Sequence, residues 1–450
     1  MLKDAVAYYH QLLEDPELAA ASRRELDEGL ENARLIFGGR RLAPYLRPHF
    51  VTKDAWERVK SICETVWSAL QKVKDAAVLD ESLLDELGVT AIEKELVAID
   101  PKYKLVSPTA RLDSFLTGNA YSFVELNGES PAGIAYSDSA SEIFLNLSVM
   151  KKFTERYEVE RLEGSSKLLD VLLRAHEEFL GHEPEQSPVI AIVDLKGLPT
   201  QKEFELFRDY FEQHGCSALI CSPDELEFDG KYLYVDGVKI DIVYKRLLVN
   251  EYLPIMGEFP ALLDAYRAGA VCMVNNFQCK IIHKKAIFAV LTNERYAHLF
   301  SAEELAAIHA HVPWTRRFRD ETTIYAGGEI DLVGFTRANK SKLVLKPNDD
   351  YGGHGIYIGW VSDEKEWNEA IESALANGDY LVQERVETSK ELFPMLFGEE
   401  FAMIEQLVDL DPLLFFGKVG SAFTRLSTSE LANVSSGGGM VPTFIIEERR

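Results

Sequence analysis

Between Arg111 and Gly133 the chain reads Arg-Leu-Asp-Ser-Phe-Leu-Thr-Gly-Asn-Ala-Tyr-Ser-Phe-Val-Glu-Leu-Asn-Gly-Glu-Ser-Pro-Ala-Gly, and this stretch leaves few options. It predicts two short strands, 111–116 and 121–127, joined by a turn at 117–120. Side chains alternate along a strand, so Arg111 shares a face with Asp113, and Glu125 with Asn127. A three-residue loop, 118–120, puts Asp113 across from Glu125 and Arg111 across from Asn127, with all four polar groups on one face. A two-residue loop would split them, because a one-residue slip turns every side chain over. The three-residue register is the expectation.

One arginine, two carboxylates and an amide on one sheet face suit Mg²⁺, a hard cation held by carboxylates together with substrate phosphates. An arginine beside them is placed to stabilise a transferring phosphoryl group. The plainer alternative is a surface hairpin with a salt bridge. Phe123, Val124, Leu126 and Ile134 argue for burial instead, and buried carboxylates need a partner or a metal.

The chain has 450 residues, long enough for two or three lobes, with 46% apolar and 10% aromatic residues. Its net charge of −25 argues against nucleic acid and against an anionic membrane surface. No signal-peptide core and no run of eighteen apolar residues is found, and the five cysteines form no C-x-x-C pair. A cytoplasmic protein with free thiols is expected.

Residues 1–100 read as helical, with segments at 5–13, 22–35, 55–73 and 81–87. From Val189 strands and helices alternate: strands at 189–193 and 218–221, a helix at 201–214, a hairpin of 231–235 with 238–244, and a strand at 271–275. Arg246 follows one of these strands, where open sheets meet their ligands, and is a carboxylate-binding candidate. Lys284 and Lys285 open an apolar helix, a position whose dipole favours anions, so a phosphate between them would explain both. A helix is also expected over 330–338.

The run Leu343-Val-Leu-Lys-Pro-Asn-Asp-Asp-Tyr-Gly-Gly-His-Gly-Ile-Tyr-Ile reads as a strand ending in Lys346, a loop with Gly352, Gly353 and Gly355, and a returning strand. Strands on both sides exclude a phosphate loop that opens a helix. It is a β-hairpin lid whose backbone N–H groups can close over phosphates. The strand containing Gln383, Glu384, Arg385 and Val386 can offer an edge to adenine, with Glu384, Glu387 or Glu391 at the base or ribose. Arg425 and the Ser435-Ser436-Gly437 loop come last, as a possible anion nest.

Together these motifs resemble the ATP-grasp superfamily, and more closely its circularly permuted branch with glutathionylspermidine synthetase-like ligases. The pattern Arg-x-Asp, eleven residues, Glu-x-Asn stands at Arg111, Asp113, Glu125 and Asn127, upstream of Lys285 and Lys346, which is the permuted order. The resemblance covers about residues 100–446. It implies an α+β, circularly permuted ATP-grasp fold with mixed sheets and a helical N-terminal region. The implied units are 1–100 (helical), 101–188 (metal-binding hairpin and core helices), 189–280 (small α/β) and 281–450 (nucleotide-binding lobe).

The implied activity is a carboxylate–amine ligase using ATP and Mg²⁺ through an acyl phosphate. Asp113, Glu125 and Asn127 would hold the metal, and Arg111 would steady the acyl phosphate. Lys285, Lys346, Gly352, Gly353, Gly355, Gln383, Glu384, Arg385, Val386 and Glu391 would bind ATP. Arg246, Arg425, Ser435, Ser436 and Gly437 would face the substrates. Partners are then small-molecule acids and amines, with no amidase activity expected of the N-terminal hundred residues. A non-catalytic ATP-binding module, or phosphorylation without amide formation, stands as the alternative.

Overall fold

The computed structural model describes residues 1–37, 39–105, 107–118, 120–398, 400–430 and 438–449. The hairpin forms, by a different route from the one expected. Strands Thr109–Thr117 and Ala120–Asn127 pair with Thr117 opposite Ala120, so the loop is two residues, 118–119, and not three. That loop alone would separate the polar groups. The ladder shifts between Asp113 and Ser114: Ser114 faces Phe123 while Asp113 faces Glu125, which leaves Val124 as an extra residue. This β-bulge restores the register that the short loop had lost, and Arg111 stands opposite Asn127. On the other face Leu112, Tyr121, Phe123 and Leu126 are at most 1% exposed. Each such side chain contributes roughly 1.5–3 kcal/mol by leaving water.

The hairpin is one edge of an antiparallel sheet ordered Gly439–Val441, Lys418–Ser427, Glu400–Phe415, Thr109–Thr117, Ala120–Asn127; Lys390–Phe397 also pairs with the start of Glu400–Phe415. Helix Lys53–Leu79 packs on it, capped at its start by Thr52, whose hydroxyl accepts from Ala55 N–H at 3.2 Å. Its buried Trp56, Val59, Cys63, Val66, Leu70 and Val73 follow the three-and-four spacing of one helix face.

The first hundred residues are mostly helical: Leu2–Leu12, Pro16–Asn32, Lys53–Leu79, Glu81–Leu87 and Ala91–Val97. Strand His49–Thr52 breaks that pattern. Four residues carry too short a period to be read as a strand, and this one exists because it lies parallel to Thr443–Glu448, nearly four hundred positions away.

A second sheet is parallel, ordered Cys272–Val274, Ile242–Lys245, Ile190–Val193, Ala218–Cys221. The strand expected over 238–244 is two strands in two sheets. Val238–Ile240 pairs with Leu233–Val235, the chain breaks at Asp241, and Ile242–Lys245 enters the parallel sheet. Asp241 marks the break by accepting Val189 N–H at 3.0 Å. The helix expected over 330–338 begins late for a similar reason. Gly328–Asp331 is a strand, and Asp331 caps the helix Leu332–Ala338 that follows, accepting from Gly334 N–H.

The third sheet is antiparallel, ordered Thr315–Arg317, Tyr380–Glu384, Leu343–Pro347, Tyr357–Ile358. Leu343–Pro347 and Tyr357–Ile358 pair, so the glycine-rich loop is a β-hairpin loop, as expected. Gly352, Gly353 and Gly355 have φ of 69°, 80° and 67°, a left-handed run that residues with a Cβ would resist. No helix among the described residues is long and apolar enough to cross a membrane.

Candidate active site

A cleft of about 670 Å³ lies between the three sheets, and most of the polar residues singled out above face it. Arg111, Asp113, Glu125 and Asn127 line it from the hairpin, Arg425 and Asp409 from neighbouring strands, and Arg246 from the parallel sheet. Lys346, Gly352, Gly353, Gln383, Glu384, Arg385 and Val386 line it from the third sheet and its loop.

Asp113 is the most heavily partnered group. Arg111 donates to it twice, Nε to Oδ1 at 2.8 Å and Nη2 to Oδ2 at 3.0 Å. Asn127 Nδ2 adds 2.9 Å to Oδ1, and Arg425 Nη2 adds 2.6 Å to Oδ2. Arg425 also reaches Asp409 at 2.5 Å, and its Nε lies 2.9 Å from Asp411 Oδ2, out of line for a hydrogen bond. Three buried aspartates thus share two guanidinium groups. Burial pushes Asp409 above the ordinary carboxylate range and Asp411 further, since the positive charge does not suffice for all three. Burial also opposes the charge on Asp113, but Arg111 and Arg425 outweigh it and hold that carboxyl below its usual range.

Asp409 and Asp411 were not singled out in the sequence. The signal was there: Val-Asp-Leu-Asp places two acids at strand spacing inside an apolar run, the same device as Arg111 and Asp113.

The lysines divide. Lys285 Nζ lies 3.3 Å from Glu125 Oε1 and donates to Asp350 O at 2.5 Å, so it bridges the metal-type hairpin and the glycine loop. Lys284 does not join it at a phosphate position. It pairs with Glu93 at 3.0 Å and Asp349 at 2.8 Å, within a buried network that includes Lys280, Glu129 and Lys245. Three lysines and three carboxylates balance there, which removes the need for an outside anion; the network ties the root of the glycine loop to the core. Lys346 Nζ donates to Gln383 Oε1 at 2.7 Å and to the bulged Val124 O at 3.2 Å. Burial, with Lys285 adding repulsion, pushes Lys346 down to about 8. Gln383 in turn donates to Thr315 Oγ1 at 3.1 Å, so its side chain orients Lys346 and is not free to read a base.

Some expectations are displaced. Glu391 is away from the cleft lining, where its carboxylate pairs with Arg47 at 2.9 Å. Gly355 is also outside the lining and packs on Pro347 and Tyr380, whose hydroxyl donates to its carbonyl at 3.1 Å. Ser435, Ser436 and Gly437 lie outside the described residues. Arg246 is held within the protein by one nitrogen: Nη1 donates to Pro131 O at 2.7 Å and Tyr244 Oη at 3.0 Å, Nη2 faces Glu203 at 3.6 Å, and Nε is buried without a hydrogen-bond partner. Glu203 Oε1 accepts Gly133 N–H at 2.8 Å and Ala135 N–H at 3.2 Å, at the start of helix Ile134–Asn146.

At the far end, Val344, Ile356, Ile358 and Trp360 make an apolar wall, with the Arg385 guanidinium 4.5 Å over the Trp360 ring. Trp360 Nε1 donates to Glu430 at 3.3 Å. A flat aromatic ligand fits between such surfaces.

No family model matches the chain. A protein of Frankia casuarinae, provisionally named glutamate–cysteine ligase 2-2, is 26% identical over 341 residues, covering 72% of this chain and 36% of its own length. Its counterpart in Frankia alni, provisionally named glutamate–cysteine ligase 2-3, is 26% identical over 352 residues, covering 75% of this chain and 38% of its own. The chain therefore spans well under half the length of these relatives. Among solved structures, an apo-form glutathione synthetase-like effector from Globodera pallida aligns over 97% of this chain and 99% of its own. The TM-score is 0.59 at 13% identity. The chain shares its mixed helix-and-sheet fold, from end to end, with that glutathione synthetase-like protein.

Proposed function

We propose that the chain is an ATP- and Mg²⁺-dependent carboxylate–amine ligase with an ATP-grasp fold in circularly permuted order. The observation that carries the reading is convergence. Arg111, Asp113, Glu125 and Asn127 share one cleft with Lys346, the glycine loop and Arg425, although over two hundred positions separate the first group from the second. Two arginines, Lys346 on the cleft wall with Lys285 behind it against Glu125, and clustered carboxylates are what phosphoryl transfer asks of a protein, because its barrier falls through positioning and charge stabilisation.

The donor set fits a hard divalent cation. Asp113, Glu125 and Asn127 offer oxygens only, and Asp409 Oδ1 is buried on the cleft wall without a hydrogen-bond partner. Such a cation would neutralise the nucleotide's terminal phosphates. Lys285 and Lys346 then hold the phosphate chain under the glycine loop, and the base sits by Trp360 and the 383–386 edge. Arg111 and Arg425 face the carboxylate substrate, where they stabilise the charge of its acyl phosphate and of the tetrahedral adduct formed when an amine attacks carbon and phosphate departs. The names of the Frankia relatives, which describe amide-forming ligases, support the same class.

The test is ADP release from ATP and Mg²⁺ across panels of acids and amines, with hydroxylamine as trap. An acyl phosphate gives a hydroxamate; ADP formed without one points to phosphorylation of another group. Glu125→Ala should abolish ADP formation while circular dichroism stays unchanged. Full turnover in that variant would end the assignment.

A further inference from the structure

We infer that Asn275 is a positioning residue for the metal-type hairpin: its side-chain amide closes the open end of that ladder and holds it in the bulged register. The consequence at the metal rests on the ligase reading; the register itself does not.

Asn275 follows strand Cys272–Val274 of the parallel sheet and is fully buried. Its amide reaches out of that sheet to the hairpin. Oδ1 accepts Thr109 N–H at 3.2 Å, and Nδ2 donates to Thr109 O at 2.8 Å. The partner residue in a hydrogen-bonded antiparallel pair exchanges the same two bonds, so this side chain stands in for a strand residue opposite Thr109. The other Nδ2 hydrogen is shared among Glu129 O at 3.0 Å, Gly128 O at 3.1 Å and Ser107 Oγ at 3.1 Å. Ser107 Oγ in turn reaches Thr109 O at 2.7 Å and Gly128 O. Thr109 lies two residues before Arg111, and Gly128 directly follows Asn127. One amide thus joins both strands just beyond the Arg111–Asn127 pair.

That hold matters because the turn does not set this register. Counted from the loop at 118–119 with no bulge, Asp113 would face Val124, and Glu125 and Asn127 would turn to the apolar face. The bulge leaves Val124 unpaired in the ladder, so bonds elsewhere must favour it. Burial of Leu126 favours it through one side chain, and Lys346 meets the Val124 carbonyl. Asn275 acts on the backbone of both strands at once. A one-residue slip would carry Gly128 O and Glu129 O away from Nδ2 while Thr109 stays, and buried polar groups that lose their partners are costly. Gly128 offers no side chain to hold this end, and none would fit, since a Cβ there would stand 2.9 Å from Ile282 Cγ1.

The experiment compares the full-length wild type, Asn275→Leu, deletion of Val124, and the two changes combined. Deleting Val124 removes the surplus residue, so that loop and polar face agree on one register without help from Asn275. Hydrogen exchange read by mass spectrometry follows strands Thr109–Thr117 and Ala120–Asn127 against the remote helix Glu364–Asn377. In Asn275→Leu the hairpin peptides should exchange at least tenfold faster, with the helix within twofold of wild type. The Mg²⁺ concentration that half-saturates AMP-PNP binding, measured by calorimetry, should rise at least tenfold. Combining the substitution with the deletion should return both readouts to those of the deletion alone, which carries the lost Lys346 contact. An asparagine that only fills the core gives a different pattern: exchange rises throughout the chain and the deletion adds to the damage. That pattern, or unchanged hairpin exchange, overturns the role. If Asn275→Leu does not fold, Asn275→Asp, which keeps the acceptor for Thr109 N–H, takes its place under the same readouts. The two readings separate: a wild-type chain that binds no AMP-PNP with Mg²⁺ removes the ligase reading, and the exchange rates alone then decide the register.

Discussion

Arg425→Met should turn the stability of this chain into a function of pH. Arg425 is the shared counter-ion of Asp113, Asp409 and Asp411, at 2.6, 2.5 and 2.9 Å, and the three aspartate side chains are 5%, 2% and 0% exposed. Removing one partner of a buried ion pair costs about 3–5 kcal/mol, because the charge left behind is desolvated and unpaired. That is a large share of the roughly 5–15 kcal/mol that holds a protein folded. Here the loss has an escape route: Asp409 and Asp411, whose carboxyls burial already pushes up, can take protons. In the variant their folded pKa values rise further above the unfolded value of about 3.9. A folded state that binds more protons than the unfolded one is favoured at low pH, so the compensation is complete below pH 4 and is lost as pH rises through the folded values. Chemical denaturation at pH 5 and pH 8 measures this. The variant should lose about 3–5 kcal/mol relative to wild type at pH 8 and markedly less at pH 5. Adding Asp409→Asn and Asp411→Asn should restore part of the loss at pH 8. A deficit below about 1 kcal/mol at both pH values, or one that grows on acidification, would refute the charge argument.

Three further outcomes can be checked. Lys346, pushed down to about 8, must be protonated to hold phosphate, so AMP-PNP affinity should fall as pH rises from 7 to 9; a flat calorimetric profile would remove Lys346 from the phosphates. Gln383→Leu deletes the acceptor 2.7 Å from Lys346 and should raise the KM for ATP several-fold with less effect on kcat, read by steady-state ADP release. Phe123→Ala, at a fully buried position on the apolar face of the hairpin, should cost about 3–5 kcal/mol of unfolding free energy, with loss of Mg²⁺-dependent nucleotide binding if the cavity lets the hairpin shift.

The chemistry of the cleft was written in short stretches of sequence. Alternation along a strand decides that Arg111 joins Asp113 and that Glu125 joins Asn127, whatever the rest of the chain does. Flanking strands likewise made the Gly352–Gly355 run a hairpin loop. What the local pattern left open was everything set by a partner far away. The loop at 118–119 is shorter than the polar face requires, and the bulge at Val124 that corrects it is stabilised where its carbonyl meets Lys346, over two hundred residues on. Lys284 and Lys285 are adjacent and alike in sequence; only the fold sends one to Glu93 and Asp349 and the other to Glu125. Arg246 and Gln383 were legible as polar groups at a ligand-facing edge, but their hydrogen bonds go to Pro131, Tyr244, Lys346 and Thr315, and Glu203 stands 3.6 Å from the Arg246 guanidinium. Sequence by itself determined which side chains share a strand face, because backbone geometry repeats every two residues. Which charges neutralise each other and which stand open to a ligand was decided by tertiary structure, because Coulomb and hydrogen-bond partners are chosen by distance in space and not along the chain.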